Sequence, residues 1–355
     1  MNSVSVTTVV SLFVLALFAV KGIIKNGKTM NRDDFMSVKQ TYWLKGVAIF
    51  LIMNSHFYPR LGFTYAEGGP LSVVLSSGIM GVIIFILLSG YGAMVSKMTK
   101  PDYLRYYISK RIIRLLLPFL AVFLINILLL VIMGEPIHAS YFYYIPLFSL
   151  PGTLNWYLKI QFVLYVVFYC VFKIVKKDEW CIVTIFVLCG LYMIVGIYLN
   201  IDRFWYESVF AFPIGMLLAK YRSHVTDLFQ RGKAWFGCAA ILIFFICFVP
   251  YYFKGGTLFE LLFELGFLIF VVFVCLLTYG DSKLLTMMGS SSLELYLLHL
   301  VVSNTILPYF SFNSLGMVIC VSIYLLYLTV SIMLAIFLNK RIAKLSRLII
   351  QKLQL

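Results

Sequence analysis

Charge is scarce in this chain. Asp, Glu, Lys and Arg make up 12% of its 355 residues, whereas 62% are hydrophobic and the mean hydropathy is +0.98. A soluble domain needs a solvated, charged surface, so this balance excludes one and leaves a polytopic membrane protein. Acids are the rarer sign, 14 against 29 basic residues, for a formal charge of +15. A nucleic-acid partner could account for that excess, but the cations sit in alternate loops, which is the footprint of membrane orientation, and no nucleic acid is expected. There is no CxxC pair. The seven cysteines (Cys170, Cys181, Cys189, Cys238, Cys247, Cys275 and Cys320) fall in or beside apolar runs, so they read as packing residues, with no disulfide framework and no metal site expected. P-loop, GxSxG, HExxH and zinc spacings are missing, as are internal repeats and low-complexity segments.

What is present is a series of apolar runs near the length of about 20 residues that a spanning helix needs, without the alternation of barrel strands. The fold class is all-α, a polytopic transmembrane helical bundle. Eleven spans are expected: Val4 to Ile24, Trp43 to Tyr58, Leu71 to Val95, Ile112 to Met133, Trp156 to Ile174, Cys181 to Leu199, Phe204 to Ala219, Trp235 to Phe253, Leu258 to Tyr279, Leu293 to Phe310 and Leu315 to Leu338. The first lacks a basic n-region and a small-residue cleavage site, so a retained helix is expected rather than a signal peptide. One set of alternate loops holds 24 Lys and Arg, and the other holds only Arg60, Arg203 and Lys254. The rich side is read as cytoplasmic, which puts the C-terminus inside and the N-terminus outside.

The richest stretch is Tyr42 to Tyr58, YWLKGVAIFLIMNSHFY. Lys45 and His56 are eleven residues apart, so on a helix they share a face and are separated by about 16 Å, half of a hydrocarbon core of about 30 Å. A neutral imidazole at that depth can take a proton from a hydroxyl. The competing reading is an interfacial lysine and a histidine bonded to a neighbouring helix. Lys110, Arg111 and Arg114 open another span; Arg111 and Arg114 share a face and could grip phosphates, or could simply anchor the positive side. Glu260, Glu264, Glu294 and His299 are titrating groups within spans, which are costly and face a cavity or a partner. Glu294 and His299 are offset by about 140° and should serve different neighbours. The loop from Gly134 to Asn155, with Tyr141 to Tyr144, suits a sugar or an interfacial aromatic belt.

Taken in order, these motifs resemble the acyltransferase 3 family of integral-membrane acyltransferases. LKGVAIFLIMNSH is similar to its first span, with Lys45 where the family has arginine and His56 at the family histidine. FILLSGY (Phe85 to Tyr91), KRIIRLLLP (Lys110 to Pro118), NWYL (Asn155 to Leu158), FAFPIGML (Phe210 to Leu217) and SLELYLLH (Ser292 to His299) follow with family-like spacing. The resemblance implies ten core helices over residues 42–339, preceded by an extra N-terminal helix and basic linker (1–41) and followed by a basic cytoplasmic tail (340–355). It implies a stand-alone form without an SGNH-type domain, in a bacterial plasma membrane. It also implies transfer of an acyl group, usually acetyl, from acetyl-CoA or another acyl-CoA to a hydroxyl of a cell-surface glycan or its lipid-linked precursor. His56 would be the catalytic base; Lys45, Arg111 and Arg114 would hold the cofactor phosphates; Ser89, Tyr91, Trp156, Tyr157, Glu294 and His299 would line the pore. A transporter or flippase would explain the same buried charges, but it predicts inverted repeats and paired broken helices. A membrane scaffold would leave Lys45, His56 and Glu294 as an unexplained cost.

Overall fold

The structure, a computed structural model, describes residues 34–57, 59, 70–146, 148–151, 153, 155–232, 235, 237–244, 246, 256–310, 315 and 317–353. The expected helix Val4 to Ile24, the linker cations before residue 34, and Arg60 and Lys254 lie outside the described residues, as does part of the span Trp235 to Phe253. Among the described residues there is no strand, only an isolated bridge between Leu150 and Thr153. The helices whose bounds are described are α1 (Val38–Phe57), α2 (Pro70–Thr99), α3 (Tyr107–Ile132), α4 (Trp156–Ile174), α5 (Asp178–Tyr198), α6 (Ala211–Lys220), α7 (Arg222–Arg231), α8 (Thr257–Leu277), α9 (Lys283–Ser290), α10 (Ser292–Ile306) and α11 (Met317–Lys352), and residues 237–244 are helical as well.

The protein is a polytopic helical bundle. Among the described residues six helices, α2, α3, α4, α5, α8 and α11, are long and apolar enough to cross a membrane, and α9 with α10 brings the number to seven if the bent pair is one span. Three expected spans fall outside that set. Phe204 to Ala219 contains only the ten-residue α6, preceded by a 3-10 turn at Arg203–Trp205. At about 1.5 Å per residue α6 is about 15 Å long, half a hydrocarbon core. Leu293 to Phe310 is the second limb of a helix pair bent by 85° around Ser291. The α1 stretch is twenty residues long, but Lys45, Asn54, Ser55 and His56 dilute its apolar character. At the other extreme, α11 does not stop at Leu338; it runs on as helix through most of the basic tail to Lys352.

The bundle has an inner group and a rim. Helix α1 packs against α2, α9 and α10, and α2 packs against α6. Most of the apolar stretch of α2 is buried in protein, 72%, against 28% in α5, so α5 is a rim helix with much of its surface left for lipid. Between membrane helices there is no hydrophobic driving force, and close backbone approach over small residues takes its place. A Cβ built on Gly289 of α9 would stand 1.7 Å from the Tyr42 carbonyl oxygen, and one on Gly46 would stand 2.0 Å from that of Leu285. The two glycines thus let α1 and α9 touch main chain to main chain, which fixes the helix carrying Lys45 and His56 to the segment that leads into His299.

Ion pairs join loop ends of the same kind. Lys97 at the end of α2 pairs with Asp178, and Lys220 at the end of α6 meets Glu179 at 2.6 Å, so both clasp the start of α5. Lys39 pairs with Asp281 before α9. At the opposite ends of α5 and α6, Arg203 pairs with Glu260 and lies 3.8 Å from Glu207.

Candidate active site

His56 and His299 meet. Nδ1 of His56 lies 2.8 Å from Nε2 of His299, and the ring planes are within 6° with centroids 5.1 Å apart. With the nitrogens so close and the centroids so far apart, the imidazoles lie end to end in one plane, as a hydrogen bond requires, and not face over face. His299 is fully buried, and its Nδ1 lies 3.1 Å from the Leu295 carbonyl one turn back on α10. A carbonyl only accepts, so that nitrogen carries the proton. In neutral His299 the lone pair then sits on Nε2 and accepts from Nδ1–H of His56, which leaves the lone pair of neutral His56 on its own Nε2. The helical i, i−4 spacing of α10 thus sets the tautomer of a histidine on α1.

Neighbouring side chains hold this pair firmly. Asn54, one turn from the end of α1, donates to the Phe50 carbonyl at 2.8 Å and accepts from the Tyr324 hydroxyl of α11 at 2.5 Å. Phe57 packs edge-on against Tyr324 and over Tyr327, and the Tyr327 hydroxyl donates to the Met53 carbonyl at 3.4 Å. Tyr296 of α10 lies against His299 with centroids 5.9 Å apart.

Three turns back along α1, three cations gather. The Lys45 ammonium lies within electrostatic reach of Arg111 and Arg114 on α3 and sits over the Tyr42 ring at 5.5 Å. Arg111 is held in an aromatic cage: its guanidinium lies 4.5 Å from the Tyr165 ring centre and 5.3 Å from that of Tyr107, and donates to the hydroxyls of Tyr103 and Tyr165 at 3.1 and 3.3 Å. Rings and neutral hydroxyls orient the guanidinium without cancelling its charge. Among the described residues no carboxylate pairs with Lys45, Arg111 or Arg114.

Tyr157 links the two groups. It lies near Arg111 and Tyr165, its hydroxyl is within reach of Ser89, and it donates to Oε1 of Gln161 at 3.2 Å. Its ring packs against Tyr296 with centroids 5.3 Å apart. A polar track thus runs from Arg111 through Tyr165, Tyr157 and Tyr296 to His299 and His56. One buried amide on it, Gln161, was passed over by motif reading, and a second, Asn155, stood only within NWYL. Gln161, one turn beyond Tyr157, has its Nε2 without a protein partner, and Asn155, fully buried at the start of α4, has neither amide atom bonded. Unsatisfied buried amides are costly and suit a polar ligand. The lone amide within the largely apolar α4 was the available signal for Gln161.

The remaining expected site residues stand elsewhere. The Tyr91 hydroxyl donates to the Met36 carbonyl at 3.3 Å, holding the segment before α1. Trp156 packs on Phe204, centroids 5.4 Å apart. Glu294 accepts from Asn339 of α11 at 3.1 Å, whereas His299 turns to His56, so the two do serve different neighbours. Tyr141 to Tyr144 form most of a short 3-10 helix, with Tyr143 76% exposed.

Fold and site together define a class: a multi-pass membrane protein with a polar track inside a helical bundle. The protein-family model for the acyltransferase 3 family, described as an acyltransferase domain, matches residues 42–340, and the chain belongs to that family. It is a membrane acyltransferase. No curated protein and no solved structure matches it.

Proposed function

We propose that the protein transfers an acyl group, acetyl in the first instance, from cytoplasmic acyl-CoA to a hydroxyl of an exported or cell-surface glycan or its lipid-linked precursor, in the cell membrane. The observation that carries this reading is the placement of a cation cluster, without a carboxylate partner among the described residues, and an oriented histidine pair about 16 Å apart along α1.

Acyl-CoA supplies the acyl group as an activated thioester. Arg111 and Arg114 hold its phosphates with planar donor forks, and Lys45 adds charge without a fork. The tyrosine cage keeps Arg111 in place before the ligand arrives, which lowers the ordering cost of binding. With the cation-rich loops on the cytoplasmic side, the cluster faces the pool of acyl donor and the histidine pair lies deeper. His56 takes the proton from the acceptor hydroxyl at Nε2 as that oxygen bonds to the acyl carbon; the thioester C–S bond then breaks, and coenzyme A leaves as the thiol with the proton returned from the ring. His299 accepts from Nδ1–H of His56, fixes its tautomer and helps to spread the positive charge that develops on the ring. Tyr157, Ser89, Gln161 and Asn155 offer hydrogen bonds along the track between, and the exposed aromatic turn at Tyr141 to Tyr144 offers ring faces to a sugar.

The test needs no knowledge of the acceptor. Purified protein in nanodiscs is incubated with acetyl-CoA, and binding and slow release of free thiol are measured for wild type, His56→Ala and Arg114→Ala. The expected result is weakened binding in Arg114→Ala, and binding retained with thiol release reduced on the order of 10²-fold or more in His56→Ala. No binding by folded wild type near millimolar acetyl-CoA, or full thiol release by His56→Ala, overturns the reading.

A further inference from the structure

Away from the polar track, α4 and α5 enclose a cavity of about 240 Å³ on the rim of the bundle, lined by Ile160, Val163, Val167, Leu188 and Cys189 and closed at one end by Lys159 and Trp205. Its apolar part follows one face of α4 from Lys159 to Val167, eight residues or about 12 Å along the axis. The wall belongs to the rim, with Val163 52% exposed and Leu188 38% exposed on the outer side of the bundle. Only one end is polar.

That end is built. The Lys159 ammonium sits over the Trp205 ring at 5.5 Å, and the Tyr192 hydroxyl donates to the Trp205 carbonyl at 3.2 Å, which pins the 3-10 turn against α5. Arg203, two residues away, is spoken for by Glu260 and Glu207. Lys159 is not: among the described residues no carboxylate pairs with it. A cation at the head of an apolar groove of this length is complementary to an anionic head group carrying an acyl chain, and an aromatic ring beside it suits the head-group level. A zwitterionic lipid would bring a second cation to the same place.

We propose that this groove binds an anionic phospholipid, with its phosphate on Lys159 and one acyl chain along Ile160, Val163 and Val167. The site is separate from the acyl-transfer track, so it stands whether or not that chemistry is right.

Native mass spectrometry of the full chain released from detergent, with phosphatidylglycerol and phosphatidylcholine of matched chains, reads it directly. Wild type retains phosphatidylglycerol preferentially. Lys159→Gln lowers that preference about fivefold, the worth of one lysine at a membrane surface. Val163→Trp fills the groove and removes the bound lipid of either kind; both substitutions lie on the rim, so the fold is retained. Equal retention of the two lipids by wild type, an unchanged preference in Lys159→Gln, or lipid still held by Val163→Trp each overturns the proposal. Retention of a polyprenyl phosphate with none of phosphatidylglycerol overturns it too, because the groove then belongs to another lipid.

Discussion

In the proposed reaction His56 works through the nitrogen that its partner leaves basic. His299 touches no substrate in the proposed reaction; it is a positioning residue, and its replacement should act on turnover and not on donor binding. His299→Phe keeps an aromatic ring and removes the acceptor for Nδ1–H of His56, so the imidazole loses the contact that sets its tautomer. The expected outcome is a fall in kcat on the order of 10²-fold with the KM for acyl donor unchanged, comparable to removing the partner that orients a catalytic or metal-bound histidine. Steady-state kinetics on the purified variant check this. A parallel rise in KM would mean that His299 shapes the donor site instead. Both histidines were legible in the sequence as intramembrane titrating groups, but not as a pair: they are 243 residues apart, and nothing local to either one points at the other.

At the scale of helices, the contact between α1 and α9 is the joint on which the site depends. Main chain meets main chain there because Gly46 and Gly289 lack a Cβ, so a methyl group at either place must push the helices apart. Gly289→Ala is expected to lower stability by about 1–3 kcal/mol, the range for overpacking a tight contact. It should also lower activity, because α9 leads directly into α10 and His299. Thermal unfolding in detergent followed by tryptophan fluorescence measures the first effect; an unchanged midpoint would show that the helices have room to spare. The motif SLELYLLH marked this region in the sequence, but the 85° turn at Ser291 did not show. Apolar periodicity reports which face of a helix is buried and carries no information on where two consecutive helices change direction. The ten-residue α6 was missed for a related reason. The apolar residues before it, in Phe204 to Phe210, are buried or partly buried in a segment that is not α-helical, which hydropathy does not distinguish from a span.

For the whole molecule, the distribution of charge and the ion pairs agree on which loop ends belong together. Lys97, Lys220 and Lys39, all from the cation-rich set, pair with Asp178, Glu179 and Asp281 at loop ends of that same set, while Arg203 pairs with Glu260 and Glu207 of the other. The proposed orientation puts the rich set in the cytoplasm. Green fluorescent protein fused after Leu355 should therefore fluoresce in cells, and alkaline phosphatase fused at the same point should be inactive. Active phosphatase there would invert the topology and separate the cation cluster from the cytoplasmic acyl donor.

Composition and one-dimensional patterning by themselves determined that the chain is an all-α membrane protein. Length and polarity of the runs act locally, so they also located most helices and, through the ordered motifs, the family. The position of Lys45 and His56 on one helix face followed as well, since helix geometry alone relates residues eleven apart. Only the tertiary structure decided that His56 is oriented by His299, that Arg111 is caged by Tyr103, Tyr107 and Tyr165, and that Gln161 and Asn155 are buried with amide groups unspent. These depend on distances between segments far apart in the chain, set by how closely particular helices approach. That approach is governed by small residues and hydrogen bonds between helices, because in lipid apolar surface alone does not choose a partner.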